Sequence, residues 1–306
     1  MKQFNAFRNA AALCALLATL TAASVAAAEK RQIEHKESIY NSIYVSENGP
    51  YVIMEFGRNR TLYTESAANR SDPLELPVAY TRYMTVGMAY PKRVGKVLEI
   101  GLGGGSTVSY LSRTFPGLEI DAAELDPVVI DFARKYFFVE ESESLRLHER
   151  DGRIFLLRSK GGYDMALIDA YRGPFVPFHL LTKEFYQLVS DRLAPDGVVL
   201  QNVDPGTMLF ESAVATIRSV FETVEIYEAR GNYVILAHHG PRKSDAELAA
   251  RASALDQAQK PRYPLSDMIQ QRRSAARDGG QVLTDDFAPV EALKATRRHN
   301  LPEDAQ

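Results

Sequence analysis

The chain has 306 residues, 45% of them hydrophobic and 25% charged, with a net charge of −3. That is enough apolar content to bury a large core, and it lacks the positive excess of a protein that binds nucleic acid through a basic surface. Cys14 is the one cysteine, so an internal disulfide is excluded.

The first segment, MKQFNAFRNAAALCALLATLTAASVAAAEK, carries Lys2 and Arg8, then an uncharged Ala/Leu run, then Ala26-Ala27-Ala28. This is the pattern of an export signal cleaved after Ala28. It predicts a periplasmic or secreted protein with no stable membrane span after cleavage. An uncleaved anchor helix is the alternative. Cleavage removes two cations and Cys14, so the mature chain has no thiol for catalysis. No later stretch is long and apolar enough to span a bilayer.

Residues 29–75 read as a small β unit. IYNSIYVSENGPYVIMEF, Ile39 to Phe56, is two β-rich runs joined by Asn48-Gly49, a hairpin signal, and RTLYT (Arg60–Thr64) adds a third strand. A helix is predicted from Val78 to Tyr90, stopped by Pro91. Residues 76–243 then alternate strand and helix. KVLEI leads to a helix over Ser106–Phe115, LEIDAAE to Pro127–Phe137, and LRLHER to Gly152–Ser159. YDMALIDA leads through a loop to Thr182–Leu193, GVVLQNV to Thr207–Val220, and VEIYEA and YVILAHH close the series. The pattern predicts an α/β domain with a doubly wound, mostly parallel sheet, whose ligand sits beyond the C-terminal strand ends. Residues 244–306 read as a tail of charged helices with a short apolar motif, VLTDDFAPVEAL.

VLEIGLGGGSTVSYL, Val97 to Leu111, is a strand, a tight turn and a helix. Gly101, Gly103, Gly104 and Gly105 let the backbone approach a ligand closely, and the helix points free N–H groups at it. A phosphate loop would place a lysine after Gly105, and none is there. A dinucleotide reading survives on Gly101-x-Gly103-x-x-Ser106 followed by Glu124. Four acids favour an adenosyl nucleoside with an aminoalkyl tail: Glu99 before the loop, Glu124 ending the second strand, Asp151 the third and Asp169 the fourth. A ribose, an adenine amine and an ammonium or sulfonium group each call for such acceptors or charge, whereas two phosphates would be repelled. The histidines are scattered, and His238-His239 face opposite ways on a strand, so no metal site is expected.

VLEIGLGGGSTVSYL, AAELDPVVIDFARKYF, LHERDGRIFL, YDMALIDAY and LTKEFYQLVSDRLAPDGVVLQNV resemble the spermidine synthase (polyamine aminopropyltransferase) family. LTDDFAPVEAL is similar to the C-terminal signature of its spermidine-synthase-like branch. The resemblance runs from about Ser38 to Asn202 and implies the class I methyltransferase-like Rossmann variant. It implies that Glu124 binds the ribose hydroxyls and that Asp151, followed by Gly152, contacts the adenine amine. It also implies that Asp169 is the catalytic acid, that Tyr80 helps handle the attacking amine, and that Asn41 lies near the nucleoside. The co-substrate implied is decarboxylated S-adenosylmethionine or S-adenosylmethionine, with no metal. The partners implied are a small-molecule amine acceptor and, in a homodimer, a second copy of the chain.

Three positions depart from the family pattern. Its loop aspartate, which grips the donor's amino end, falls on Gly104, and Glu99 stands where it could take that role. The second aspartate of the family's D-S-S-D loop falls on Arg172. A His or Gln after the tyrosine is replaced by Thr81. Glu99 and Gly104 keep a methyltransferase open. Arg172, Thr81 and the export signal keep open a non-catalytic periplasmic protein that retains the fold.

Overall fold

The computed structural model describes residues 29–58, 60–172, 175–204, 209–274 and 279–287. The predicted export segment, and LTDDFAPVEAL beyond Phe287, lie outside the described residues.

Four antiparallel strands open the described chain: β1 (Arg31–Glu37), β2 (Ser42–Asn48), β3 (Tyr51–Arg58) and β4 (Thr61–Asn69), in that spatial order. The predicted hairpin is present: Asn48 pairs with Tyr51, and Gly49 takes φ 58° to close the turn. β1 was not foreseen, because RQIEHKE is almost wholly exposed and shows no apolar alternation. β4 runs five residues past the predicted third strand and carries a bulge opposite Met54–Glu55.

The second sheet comprises β5 (Lys96–Ile100), β6 (Glu119–Glu124), β7 (Leu145–Glu149), β8 (Tyr163–Ile168), β9 (Leu193–Val203), β10 (Thr223–Ala229), β11 (Asn232–His238) and β12 (Arg272–Ser274). Its order is β12-β10-β11-β9-β8-β5-β6-β7, parallel from β9 to β7 and antiparallel from β9 to β12. Around it lie α1 (Ala79–Met84), α2 (Ser106–Thr114), α3 (Pro127–Tyr136), α4 (Gly152–Arg158), α5 (Lys183–Arg192), α6 (Leu209–Arg218), α7 (Asp245–Gln259) and α8 (Leu265–Met268). The fold is therefore the doubly wound, mostly parallel α/β architecture with an antiparallel N-terminal sheet.

The central strands are apolar on both sides because both faces are covered. Val97, Met165, Leu167, Val198 and Leu200 join one buried cluster, while Leu98, Ala166, Ile168 and Val199 join another. This is the period of two expected along strands. Burying each large aliphatic side chain stabilises by about 1.5–3 kcal/mol. A third cluster joins Ile43, Val45, Val52 and Met54 of the N-terminal sheet to Val128, Val129 and Phe132 of α3. That packing brings β4 over the glycine loop, where the Gly104 N–H donates to Ser66 Oγ at 2.7 Å.

Two local expectations change. The helix over 78–90 is α1 followed by a 3₁₀ turn, Thr85–Ala89. Thr85 Oγ1 donates to the Arg82 carbonyl at 2.7 Å, which competes with regular helical bonding. The tail is not helical throughout: β12 joins the sheet edge, held by Arg272 against the buried Glu225 at 3.0 Å. Among the described residues no helix is long and apolar enough to cross a membrane.

Candidate functional site

β5 and β8 are neighbours whose chains leave in opposite directions, β5 toward β6 and β8 toward β9. A crevice opens at such a switch point. Gly101 lies there at φ +89°, and a Cβ on it would stand 2.5 Å from the Asp169 carbonyl oxygen. Only glycine lets the two loops pass this closely. A cavity of about 520 Å³ fills the crevice, bounded by the glycine loop, β4, α1 and the segment after β8.

The structure brings the sequence-derived residues to this one cavity. Glu99, Gly101, Gly103, Gly105, Glu124, Asp151, Gly152 and Asp169 line it, as do Asn41, Tyr80, Thr81 and Arg172. Gly104 does not reach the lining. A Cβ on Gly104 would meet the Phe137 ring at 2.6 Å, so a side chain there has no room.

The acids differ in their partners. Glu124 Oε2 accepts the Leu102 N–H at 3.0 Å and Oε1 the Asp126 N–H at 2.9 Å, which fixes the carboxylate at the loop. Burial still raises its pKa above the ordinary value. Asp151 caps α4 by accepting the Ile154 N–H at 2.9 Å, and its other oxygen meets His179 Nε2 at 2.8 Å. Burial, the largest influence, pushes this carboxyl up, yet His179 and the backbone N–H groups outweigh it and the net shift is downward. Glu99 is 2% exposed, and its Oε2 has no hydrogen-bond partner among the described residues. Burial first, then the nearby Asp169 and Glu124 charges, raise its pKa well above the carboxylate range.

Asp169, just past β8, accepts from Asn202 Nδ2 at 2.9 Å and lies beside the Tyr80 hydroxyl, which lowers its pKa. Asn202 is held in turn: its Oδ1 accepts from Asn232 Nδ2 at 2.9 Å. Burial raises Asp169 to about 6, against the lowering effect of Asn202 and Tyr80. A carboxylate poised there is suited to receive a proton near neutral pH. Burial and the Asp169 charge push the Tyr80 phenol well above its usual value, so it stays a hydrogen-bond donor.

The departures from the family pattern have structural counterparts. Arg172 is exposed and donates through Nη2 to the Tyr40 carbonyl at 3.1 Å, tying the loop after β8 to the β1–β2 connection. Thr81 turns its hydroxyl to the Val78 carbonyl at 2.7 Å. Asn41 donates its amide to Asp126 Oδ2 at 3.0 Å, while Asp126 Oδ1 caps α3 through the Val128 N–H. Among the described residues no His, Cys, Asp and Glu side chains gather to hold a metal.

Sequence reasoning missed Asn202, His179 and Glu65. Asn202 stood in the quoted strand GVVLQNV, but its role follows from β9 lying beside β8. His179 lies in the loop that follows YDMALIDA, where no site residue was read. Glu65 falls just beyond the predicted third strand; it lines the cavity, and burial raises its pKa to about 8.

A chain 30% identical over 296 residues, the polyamine aminopropyltransferase of Vibrio vulnificus (strain CMCP6), is matched over 92% of the present chain and 97% of its own length. The crystal structure of a probable spermidine synthase from Corynebacterium glutamicum ATCC 13032 superposes with a TM-score of 0.68 at 17% identity, over 84% of this chain and 98% of that one. Human methyltransferase-like protein 13 in complex with SAH superposes with a TM-score of 0.55 at 25% identity, over 62% of this chain and 99% of that one. The family model for the spermine/spermidine synthase domain matches residues 78–230, half of the chain. The protein belongs to the spermine/spermidine synthase family.

Proposed function

We propose that this protein is an aminopropyltransferase that takes its alkyl group from decarboxylated S-adenosylmethionine and passes it to a small amine. The observation that carries the reading is Asp169, held by Asn202 in a cavity that Tyr80, Glu99, Glu124 and Asp151 also line, where burial raises it to about 6. Glu124 and Asp151 take the ribose hydroxyls and the adenine amine. Asp169 draws in the acceptor ammonium, whose ordinary pKa is about 10, and removes its proton. The freed nitrogen lone pair forms a bond to the carbon beside the sulfonium, the carbon–sulfur bond breaks, and its electrons leave with the thioether of 5′-methylthioadenosine. Positioning the amine in line with that carbon supplies much of the rate.

A second reading is S-adenosylmethionine-dependent methyl transfer. Glu99 favours it: a buried acid in β5 just before the loop, beside a Gly104 that carries no acid. The SAH-bound human structural neighbour points the same way. Calorimetric titration of residues 29–306 with S-adenosylmethionine, its decarboxylated form and 5′-methylthioadenosine separates the two. Preference for the decarboxylated donor supports aminopropyl transfer, preference for S-adenosylmethionine supports methyl transfer, and no binding of any leaves the non-catalytic alternative.

We further infer that residues 1–28 direct export and that the mature chain works in the periplasm. Its proposed parts are 29–75, 76–243 and 244–306. N-terminal sequencing from the native host then begins at Glu29; an intact Met1 in the cytosol contradicts export.

A further inference from the structure

β4 is bulged where it faces β3. Met54 pairs with Ser66 and Glu55 with Thr64, so Glu65 is the extra residue and pairs with nothing across the strand. A bulge re-aims a side chain, and bulges concentrate beside sites for that reason. The next residue, Ser66, is pinned by the Gly104 N–H at 2.7 Å, which fixes the bulge against the glycine loop. Glu65 lines the cavity, and among the described residues its Oε1 is buried and accepts no hydrogen bond. Glu99, 2% exposed, lines the same cavity with Oε2 in the same condition.

Two buried, unsatisfied carboxyl oxygens in one cavity call for donors that the folded chain does not supply. The groups around them decide which kind. Asp169 and Glu124 add negative charge close to Glu65, and Tyr80 and Tyr171 lie near it. The arginines that line the cavity are engaged elsewhere: Arg58 stacks over the Phe175 ring at 5.3 Å, and Arg172 is bonded to the Tyr40 carbonyl. His179 is bonded to Asp151. A neutral donor would leave the Asp169 and Glu124 charge uncompensated. A primary ammonium brings three N–H donors and the missing positive charge together.

We propose that Glu65, with Glu99 as a second carboxylate, seats a primary alkylammonium group of a substrate; this rests on the aminopropyltransferase reading. Glu65 and Glu99 thereby supply from β4 and β5 the charge that neither Gly104 nor Arg172 provides. In the empty site burial, with Asp169 and Glu124, holds Glu65 at about 8, so it carries a proton at neutral pH. An arriving ammonium favours the ionised form, and binding then releases a proton.

The ammonium belongs either to the donor's aminopropyl arm or to the acceptor's far end, and Glu65→Gln distinguishes them. Titrations of the wild type and the variant use decarboxylated S-adenosylmethionine and 5′-methylthioadenosine, which lacks the amine, in buffers of different ionisation enthalpy. If the donor's amine is seated, the variant loses about tenfold in affinity for the decarboxylated donor, keeps its affinity for 5′-methylthioadenosine, and loses the proton release. If the acceptor's ammonium is seated, donor binding is unchanged, while KM rises about tenfold for putrescine and not for butylamine. Glu65→Asp restores part of either effect and serves as the readout should Glu65→Gln not fold. Unchanged values for every ligand, or an equal loss for 5′-methylthioadenosine, overturn the assignment while the functional reading stands. A wild type that binds no adenosyl ligand removes the functional reading, and the seat with it.

Discussion

Asn202 Nδ2 donates to Asp169 Oδ1 across 2.9 Å, from the end of β9 to the end of β8. The bond stabilises the charged form of the carboxylate against the burial that raises it to about 6. Asn202→Ala therefore moves the Asp169 pKa further up. Proton acceptance needs the ionised acid, so activity is lost as pH falls through that pKa, and the acidic limb of the kcat/KM profile shifts to higher pH. A hydrogen bond to a charged group is worth about 1.5–3 kcal/mol, so the rate below the limb falls by roughly tenfold or more. An unmoved limb would show that another group titrates.

Stability should fall as pH rises across the neutral range. Asp169 and Glu65 have folded pKa values of about 6 and about 8, above their ordinary values. Between roughly pH 4 and 8 these two groups thus bind more protons in the folded chain than in the unfolded one, and their contribution to stability declines with pH; His238, which burial holds below its ordinary value, opposes this only up to the unfolded imidazole pKa of about 6.5. Asp121 and Asp151 are shifted downward; their contribution is complete above the unfolded carboxylate pKa and does not reverse this slope. Thermal melts of the empty protein should give a Tm several degrees lower at pH 8 than at pH 5. Glu65→Gln should flatten the upper part of the decline. A Tm that rises steadily to pH 8 contradicts the burial of these acids.

Gly104→Asp restores the family's loop residue in sequence but not in space. Its Cβ would press on the Phe137 ring at 2.6 Å. Overpacking of this kind costs about 1–3 kcal/mol, so the variant should melt at lower temperature without binding an aminopropyl donor more tightly. Pairing it with Phe137→Leu should recover part of the loss. A Gly104→Asp protein of full stability and improved donor affinity would refute the packing argument.

Arg172→Asp tests a charge at the mouth. The side chain is exposed and bonded to a carbonyl, so exchanging its charge acts through solvent. Exposed charge interactions are worth about 0.2–1 kcal/mol. The KM for putrescine should therefore drop only by roughly two- to fivefold. A drop of a hundredfold would mean that Arg172 swings inward during turnover.

The site was legible to the extent that it is written in local pattern. The glycine loop, Glu124 and Asp169 each follow an apolar strand in the sequence, and the strand-end rule places all of them at one crevice. The helix read from Pro127 likewise begins there as α3, and the structure adds Asp126 as its cap. What was not legible depends on pairing. Glu65 is aimed by a bulge, which exists only against β3. Asn202 reaches Asp169 only because β9 lies beside β8. β12 is three residues that become a strand against β10, and the tail's charged composition conceals it. The lack of room at Gly104 comes from Phe137, which is distant in sequence.

Release of 5′-methylthioadenosine tests the central claim most directly. The chain over residues 29–306 is incubated with decarboxylated S-adenosylmethionine and a panel of mono- and diamines, alongside Asp169→Asn. The account predicts thioether release that requires an amine, yields an aminopropylated product in equal amount, and falls about 10²- to 10⁴-fold in the variant. Release that is absent with every amine, or equal in the wild type and Asp169→Asn, would contradict it.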